Sequence, residues 1–247
     1  MFGTVFHFRP SKHFQDKVFH YSTMDAMRNS VYKGDFTIKR LKENENFGLG
    51  TFNDLDGELI LLDGKVYRVA ADGIVPEASS DRRIPFCSSA FFRKGKTIEV
   101  EGEKAVNNLQ FSILQFLPSS NRFYAIKIKA SFYDLTLGGV EKVLCQNPAD
   151  IAVLMKERPI YKKHNIKGTI IGFYSPPYLG GTGLSPFHFH FFSDDKKNGS
   201  HLLDGNFSSV KISIELDEKK ACEIVLPNSS NLGYQRKWKS SESKSQY

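Results

Sequence analysis

The chain has 247 residues, and its 34 Lys and Arg outnumber its 27 Asp and Glu to give a net charge of +7. This length supports one large domain or two modest domains that need no disulfide bonds for stability. The basic excess is spread along the chain without a recognisable nucleic-acid motif, so we predict no nucleic-acid partner. A small anionic substrate is equally consistent with this charge.

The three cysteines, Cys87, Cys145 and Cys222, lie far apart and form no Cys-x-x-Cys pair. Since an odd and sparse set does not make a disulfide framework, we interpret them as buried free thiols in a reducing compartment. The first residues lack the apolar core of a signal peptide, and no apolar run approaches the length of a membrane span. We therefore predict a cytoplasmic protein with no membrane partner.

In chain order, the first predicted elements are two short helices within residues 24–46, the second of them capped by Thr37. A meander of short strands joined by Asp-Gly turns follows, because Asp-Gly between apolar runs is a strong hairpin signal. Its strands cover residues 58–62 and 65–70, and its turns cover 63–64 and 72–73.

The remaining chain is predicted to be mostly β-structure, in keeping with its 21 Phe residues. Helical spacing predicts two further helices, and alternating or continuous apolar runs predict the strands. The helices cover residues 104–116 and 150–156, and the strands cover 86–92, 123–132, 167–173, 187–192, 210–215 and 223–226. The polar tail at 239–247 is predicted to be disordered.

Two histidines separated by one residue, His188 and His190, occupy a predicted strand. Alternate residues of a strand face the same side, so the two imidazoles are presented together. A turn ending in Asn198-Gly199 follows, and an antiparallel return would bring His201 back beside the pair. Three imidazoles that leave a fourth position open are typical of a catalytic zinc site and not of a structural one.

A plainer interpretation stays open from the residues alone, because isolated histidines are usually packing or surface residues. It predicts no bound metal after purification and little effect of a chelator on the melting temperature. The other histidines have no partners at ligand spacing, and we interpret them as surface or core residues. They are His7, His13, His20 and His164.

Several long stretches of the chain resemble the bacterial α-acetolactate decarboxylases, in order, over about the first 230 residues. They are VFHYSTMDAM at 18–27, VYKGDFTI at 31–38, FGLGTFNDLDGELILLDGKVY at 47–67, IPF at 84–86 with FF at 91–92, FYAIKIKASF at 123–132, FYSPPYLGG at 173–181 and FHFHFFSDDKKNGSHLLD at 187–204.

The resemblance implies an α+β, β-rich fold with a mixed β-sheet N-terminal part at 1–150. A smaller β-barrel-like C-terminal part at 151–238 would carry a zinc site, and the tail at 239–247 would follow. It implies a carboxy-lyase that converts acetolactate to acetoin and carbon dioxide. Zn²⁺ would chelate the ketone and hydroxyl oxygens of the substrate and stabilise the enediolate. Family members pair through their N-terminal sheets, which implies a homodimer.

Taken residue by residue, the resemblance implies that His188, His190 and His201 are the zinc ligands. It implies that Glu58 is a catalytic glutamate near the metal, which orients the substrate or moves a proton. Thr51 would line the same cavity and contact the substrate. Without the resemblance, Glu58 would be interpreted as a solvated strand residue.

The chain departs from the family pattern at two supporting positions. The family's substrate-binding arginine follows the strand that ends at Phe132, and its position falls on Gly138 here. The family's C-terminal glutamate has no clear counterpart, and Glu242 is the one candidate in the tail. Two hypotheses follow. The first is a decarboxylase in which Lys129 or Lys142 replaces the arginine. The second is a zinc-binding relative that has lost this reaction and binds a different oxyacid or has a regulatory role.

Overall fold

The computed structural model of the protein describes residues 16–70, 75–102, 104–144, 149–209 and 211–239. Within these ranges the chain forms fourteen strands and five α-helices, a β-rich α+β fold with mixed sheets. The strands are β1 (Lys17–Tyr21), β2 (Phe36–Thr37), β3 (Phe47–Thr51), β4 (Glu58–Leu62), β5 (Lys65–Val69), β6 (Arg83–Ile84), β7 (Phe86–Ala90), β8 (Lys96–Glu101), β9 (Phe123–Gly138), β10 (Ile160–Tyr174), β11 (Phe187–Ser193), β12 (Gly199–Phe207), β13 (Lys211–Lys219) and β14 (Ala221–Val225). The helices are α1 (Met24–Arg28), α2 (Ile38–Asn44), α3 (Val106–Phe116), α4 (Ile151–Lys156) and α5 (Leu232–Gln235).

Some sequence predictions fall on positions outside the described residues. They are His7, His13, the Asp72-Gly73 turn, Cys145, Glu242 and residues 240–247 of the tail. Cys87 is a buried free thiol and Cys222 a half-buried one. In the described part of the chain, no helix has the length and apolar character needed to cross a membrane.

The first sheet has six strands in the order β14-β1-β7-β3-β4-β5. Its strands pair antiparallel, except that β1 lies parallel to β14, with Val18 opposite Cys222. The Asp63-Gly64 turn joins β4 to β5 as predicted, with both residues at positive φ. This sheet therefore combines the predicted N-terminal meander with a strand from near the end of the chain.

The second sheet has six antiparallel strands in the order β10-β11-β12-β9-β13-β8. Strand β10 also pairs with β9, so the pairings of β9, β10, β11 and β12 form a closed circuit. Because β8 and β9 precede residue 150 and β14 follows it, both sheets combine strands from either side of that residue. The barrel-like form and the division into domains stay predictions.

The two sheets pack face to face through an apolar cluster that contains Leu49 and Ile60 from the first sheet and Ile171 and Phe192 from the second. Helix α2 covers the outer face of the first sheet, and helix α3 covers that of the second. Strand alternation then decides which side chains lie between the sheets. His188 and His190 share one face of their strand, as the alternation predicted. Phe192 is on the same face, which lies between the sheets.

Helix α2 begins where its cap predicts, since the Thr37 Oγ1 accepts a hydrogen bond from the Arg40 backbone N–H. Strands β9 and β10 are longer than the sequence pattern predicted. They continue to pair until Gly138 lies opposite Ile160. On β9 the extension keeps an alternating apolar face, since Leu135 and Leu137 are buried in the core, whereas the facing start of β10 is polar and exposed at Lys162 and His164.

We predict that Gly172→Ala lowers the free energy of unfolding by about 1–3 kcal/mol, the usual effect of overpacking. Gly172 lies opposite Phe189, and a Cβ at this position would lie 2.0 Å from the Phe189 Cδ1. Urea denaturation measures the change. Gly180→Ala is the matched control, because its Cβ would meet nothing closer than the Pro177 carbonyl oxygen at 3.6 Å. Equal stability of the two variants would contradict the prediction.

Candidate metal centre and its cavity

Three histidines meet where the β11–β12 hairpin faces the first sheet. His190 is the cross-strand partner of His201, so the antiparallel return predicted from the sequence is the observed one. The ring centroids of His188 lie 5.0 Å from those of both His190 and His201, and the remaining pair is 5.5 Å apart. One nitrogen from each ring lies within 4.8 Å of the others. Among the described residues, this is the group that can hold a metal ion.

The three imidazoles are held in the neutral form that binds metals. Burial lowers the pKa of His188 and His190 well below the usual value, and the neighbouring histidines lower both further. Burial, reinforced by the positive charge of Arg158, lowers the pKa of His201 to about 4. The cluster therefore carries no charge of its own at neutral pH.

The ring nitrogens of this cluster are arranged as ligands of a cation would be. The Nδ1 atoms of His188 and His190 are buried without a hydrogen-bond partner in the described structure. The His188 Nε2 and the His201 Nδ1 face each other at 3.2 Å. Buried polar atoms without partners are costly, and a metal ion bound to the three rings would offset that cost.

A cavity of about 320 Å³ opens beside the cluster and reaches His188 and His201. This volume suits a small molecule. Its walls are mostly apolar and come from both sheets and two helices. Apolar lining residues include Met24, Met27, Leu55, Phe86, Val140 and Leu184. The ionisable side chains that line it with the two histidines are Arg28, Glu58 and Arg158.

Glu58 on β4 and Thr51 on β3 are cross-strand partners, and both line this cavity. Both side chains are buried, which excludes the interpretation of Glu58 as a solvated strand residue. The Thr51 hydroxyl donates to the Gly57 carbonyl oxygen at 2.9 Å, which fixes its orientation. The Glu58 Oε2 lies 3.8 Å from the His190 Nε2. Burial raises the pKa of Glu58 to about 8, against the opposing effect of Arg158.

The comparison with known proteins identifies the family, because a family model described as alpha-acetolactate decarboxylase matches residues 18–236. This chain belongs to the alpha-acetolactate decarboxylase family. The alpha-acetolactate decarboxylase of Bacillus licheniformis is 35% identical over 217 residues, which cover 87% of this chain and 84% of that protein. That of Raoultella terrigena is 35% identical over 202 residues, 81% of this chain and 77% of that protein.

Solved structures agree with this assignment. The alpha-acetolactate decarboxylase from Bacillus subtilis strain 168 aligns with a TM-score of 0.82 at 32% identity, covering 87% of this chain and 91% of that one. A protein of unknown function from Staphylococcus aureus, described as similar to alpha-acetolactate decarboxylase, aligns with a TM-score of 0.83 at 26% identity. That alignment covers 90% of this chain and 94% of the other. The resemblance stated from the sequence is thus confirmed.

The structure does not bring the two lysines suggested from the sequence into the cavity of this acetolactate decarboxylase family member. The Lys129 ammonium lies 3.5 Å from the Asp194 carboxylate and is mostly exposed. Lys142 lies 3.8 Å from the Asp56 carboxylate. Neither is among the described residues that line the cavity, whereas Gly138 is.

The cationic group that sequence reasoning missed is Arg158, which lies between α4 and β10. Its position follows from the extension of the β9–β10 pair, which continues past Gly138 to a hydrogen bond from the Gly139 N–H to the Pro159 carbonyl. The one signal in the sequence is the Arg158-Pro159 pair directly after a predicted helix. That signal does not show which cavity the arginine reaches.

Of the two other described histidines, one is exposed and one is buried, in agreement with their interpretation as surface or core residues. His164 is exposed, and its Nδ1 lies 2.7 Å from the Asp134 carboxylate. His20 is buried on β1 with its Nδ1 3.0 Å from the Ser88 hydroxyl. Burial lowers the pKa of His20 to about 4. His20 is therefore a further buried neutral imidazole, close enough to the histidine cluster to lower the pKa of His188.

We predict that His20→Asn makes the stability of the metal-free protein less sensitive to acid. The folded protein holds the pKa of His20 near 4, below the ordinary value of 6.5, so the unfolded chain binds the additional proton between these values. The free energy of unfolding then falls as the pH drops from 6.5 towards 4. Removing this histidine should reduce that slope by up to about 1.4 kcal/mol per pH unit.

Urea denaturation of chelator-treated protein between pH 4.5 and 7.5 measures this slope (roughly the span set by the two pKa values). Asparagine at position 20 can keep the hydrogen bond to Ser88. His164→Asn is the matched control for loss of an exposed imidazole. A slope unchanged from that of the parent protein would show that His20 does not couple folding to protonation.

Proposed function

We propose that this protein is a zinc-dependent acetolactate decarboxylase that converts 2-acetolactate to acetoin and carbon dioxide. The observation that carries the proposal is the buried three-histidine cluster, which opens into a cavity of small-molecule size with Glu58 in its wall. Family membership supplies the substrate class. Three neutral imidazoles are a typical ligand set for a zinc ion with an open position.

The reaction needs a place for the electron pair that is left when carbon dioxide departs from a β-keto acid. A bound zinc ion would supply Lewis acidity that offsets the negative charge developing on the substrate oxygens. His188, His190 and His201 would hold the ion. The mostly apolar cavity walls lower the local polarity, which would strengthen each electrostatic interaction with the substrate.

Glu58 is the carboxyl group placed to move the proton that completes acetoin. It lies in the cavity wall, with one oxygen 3.8 Å from His190, so it is close to any substrate held at the histidine cluster. One proton enters the carbon that has lost carbon dioxide, and the substrate anion plus this proton gives neutral acetoin and carbon dioxide. The fixed position of Glu58 would deliver the proton to one face of the enediol.

We predict that zinc-loaded protein forms acetoin from racemic acetolactate, and that His188→Ala abolishes both zinc binding and acetoin formation. Metal analysis and an acetoin assay on the same samples measure the two properties. Chelation of the parent protein should lower its melting temperature, and added zinc should restore it, because a ligand of the folded state stabilises that state.

The alternative interpretations give different results in the same experiment. Packing histidines without a metal role predict no bound zinc and no effect of the chelator. A relative that has lost the reaction would bind about one zinc per chain, as three ligands per ion imply, and form no acetoin above background. In that case the search would move to other chelating oxyacids.

We predict that Glu58→Gln lowers kcat about 100-fold to 10,000-fold while zinc stays bound, because the amide cannot exchange the proton. Steady-state kinetics and metal analysis measure the two effects. Glu157→Gln is the control, since Glu157 is an exposed carboxylate at the end of α4. A kcat within a factor of about three of the parent value would remove Glu58 from the proton-transfer step.

The barrel-like form of the strand circuit, the homodimer and the cytoplasmic location belong to the same proposal. Homodimer formation through the first sheet rests on the family resemblance. Analytical ultracentrifugation at several protein concentrations tests it, and a monomer at every concentration would contradict it.

A further inference from the structure

Arg158 and Gly138 share one side of the cavity wall. Gly138 ends β9, and its partner on β10 is Ile160, two residues after Arg158. A Cβ at Gly138 would lie 3.0 Å from the Arg158 Nε and 3.2 Å from its Cδ. The Arg158 side chain therefore occupies the space into which a side chain at position 138 would extend.

The Arg158 guanidinium has no anion beside it in the described structure. Its Nη1 makes a weak polar contact with the Met155 sulfur at 3.8 Å. No described carboxylate lies within ion-pair distance of the guanidinium. Arg28, the other arginine that lines the cavity, is paired with the Asp25 carboxylate at 2.8 Å. Arg158 is therefore the cation in this cavity that is available to a ligand.

The positive charge of Arg158 affects the pKa of two ionisable groups of the site, Glu58 and His201. It opposes the protonation of Glu58 and of His201, since it lowers the pKa of each. A half-buried guanidinium that lines one cavity with a histidine cluster and a carboxyl group lacks the counter-ion that such a charge normally has. A ligand with a carboxylate would supply it.

We propose that Arg158 binds the carboxylate of the substrate and so determines the selectivity of the cavity for 2-hydroxy-3-oxo acids. This inference rests on the proposed function and deepens it. The guanidinium fork matches the two carboxylate oxygens and holds them in one plane. The arginine thus reaches the substrate from the segment before β10, while the residue at 138 is a glycine that leaves it room.

Substrate and product differ in the group that Arg158 recognises. Acetolactate carries a carboxylate, whereas acetoin and carbon dioxide are neutral. The ion pair forms with the substrate and disappears when the carbon–carbon bond breaks. Arg158 therefore favours entry of the substrate and has no interaction that retains the product.

The test uses a non-reacting anion and its neutral counterpart. The anion is 2,3-dihydroxy-2-methylbutanoate, and 2,3-butanediol is the same skeleton without the carboxylate. Calorimetric titration of zinc-loaded and metal-free protein measures both affinities. We predict that Arg158→Met weakens binding of the anion about tenfold to a hundredfold, the usual range for a charged hydrogen-bond pair, and leaves the diol unchanged. Arg28→Met is the matched control and should keep the affinity for the anion.

The outcomes separate the two proposals. Selective loss of anion binding in Arg158→Met supports the inference even if the parent protein forms no acetoin, which would overturn the proposed function alone. Anion binding that is unchanged, or anion and diol binding that weaken equally, overturns the role of Arg158. If the parent protein forms acetoin, Arg158→Met should raise KM more than it lowers kcat, and an unchanged KM also overturns the inference.

A relocation variant tests whether the position of the guanidinium matters. Gly138→Arg alone should weaken anion binding, because the new side chain would meet Arg158 and the Leu203 Cδ1, which lies 2.8 Å from the added Cβ. The double variant Gly138→Arg, Arg158→Ala removes the contact with Arg158 and leaves the flexible end of Leu203 to shift, so it should recover part of the anion affinity that Arg158→Ala loses. Failure of the double variant to exceed Arg158→Ala, with a native melting temperature, would count against a shared carboxylate position.

Discussion

The pairing of β9 with its neighbours decides where the groups of the site lie. At the end of this strand, Gly138 has His201 of β12 on one side and Ile160 of β10 on the other. The first pairing fixes one histidine of the cluster, and the second brings Arg158 to the same cavity wall. If this register slipped by one residue, alternate side chains would change faces and the cluster would be lost.

The space between the two sheets is occupied by apolar side chains along most of its extent, and by polar groups at one end. His188, His190 and Glu58 are buried there, and burial disfavours the charged form of each. Such groups reduce the stability of the folded chain unless a ligand or metal ion interacts with them. The site is therefore a region where binding and folding stability are thermodynamically linked.

The sequence predicts the histidine cluster because strand alternation and a short hairpin are local rules, and local rules suffice for His188, His190 and His201. Glu58 needed the family resemblance, since nothing near it in the sequence shows that β4 faces a second sheet. Arg158 was missed because its position depends on the long β9–β10 pairing, and the start of β10 is polar and carries no apolar pattern. Lys129 was suggested from its strand, but its exposed side chain pairs with Asp194 outside the cavity.

The parallel pairing of β1 with β14 has a consequence for biosynthesis. The sheet that carries Thr51 and Glu58 includes residues 221–225 next to its first strand, so it is incomplete until residue 225 has left the ribosome. Contacts between residues this distant in sequence also form slowly, because their loop must close first. The edge of this sheet is thus completed after the histidine hairpin at 187–201 has been synthesised, by a strand that pairs with the first strand of the chain's described part.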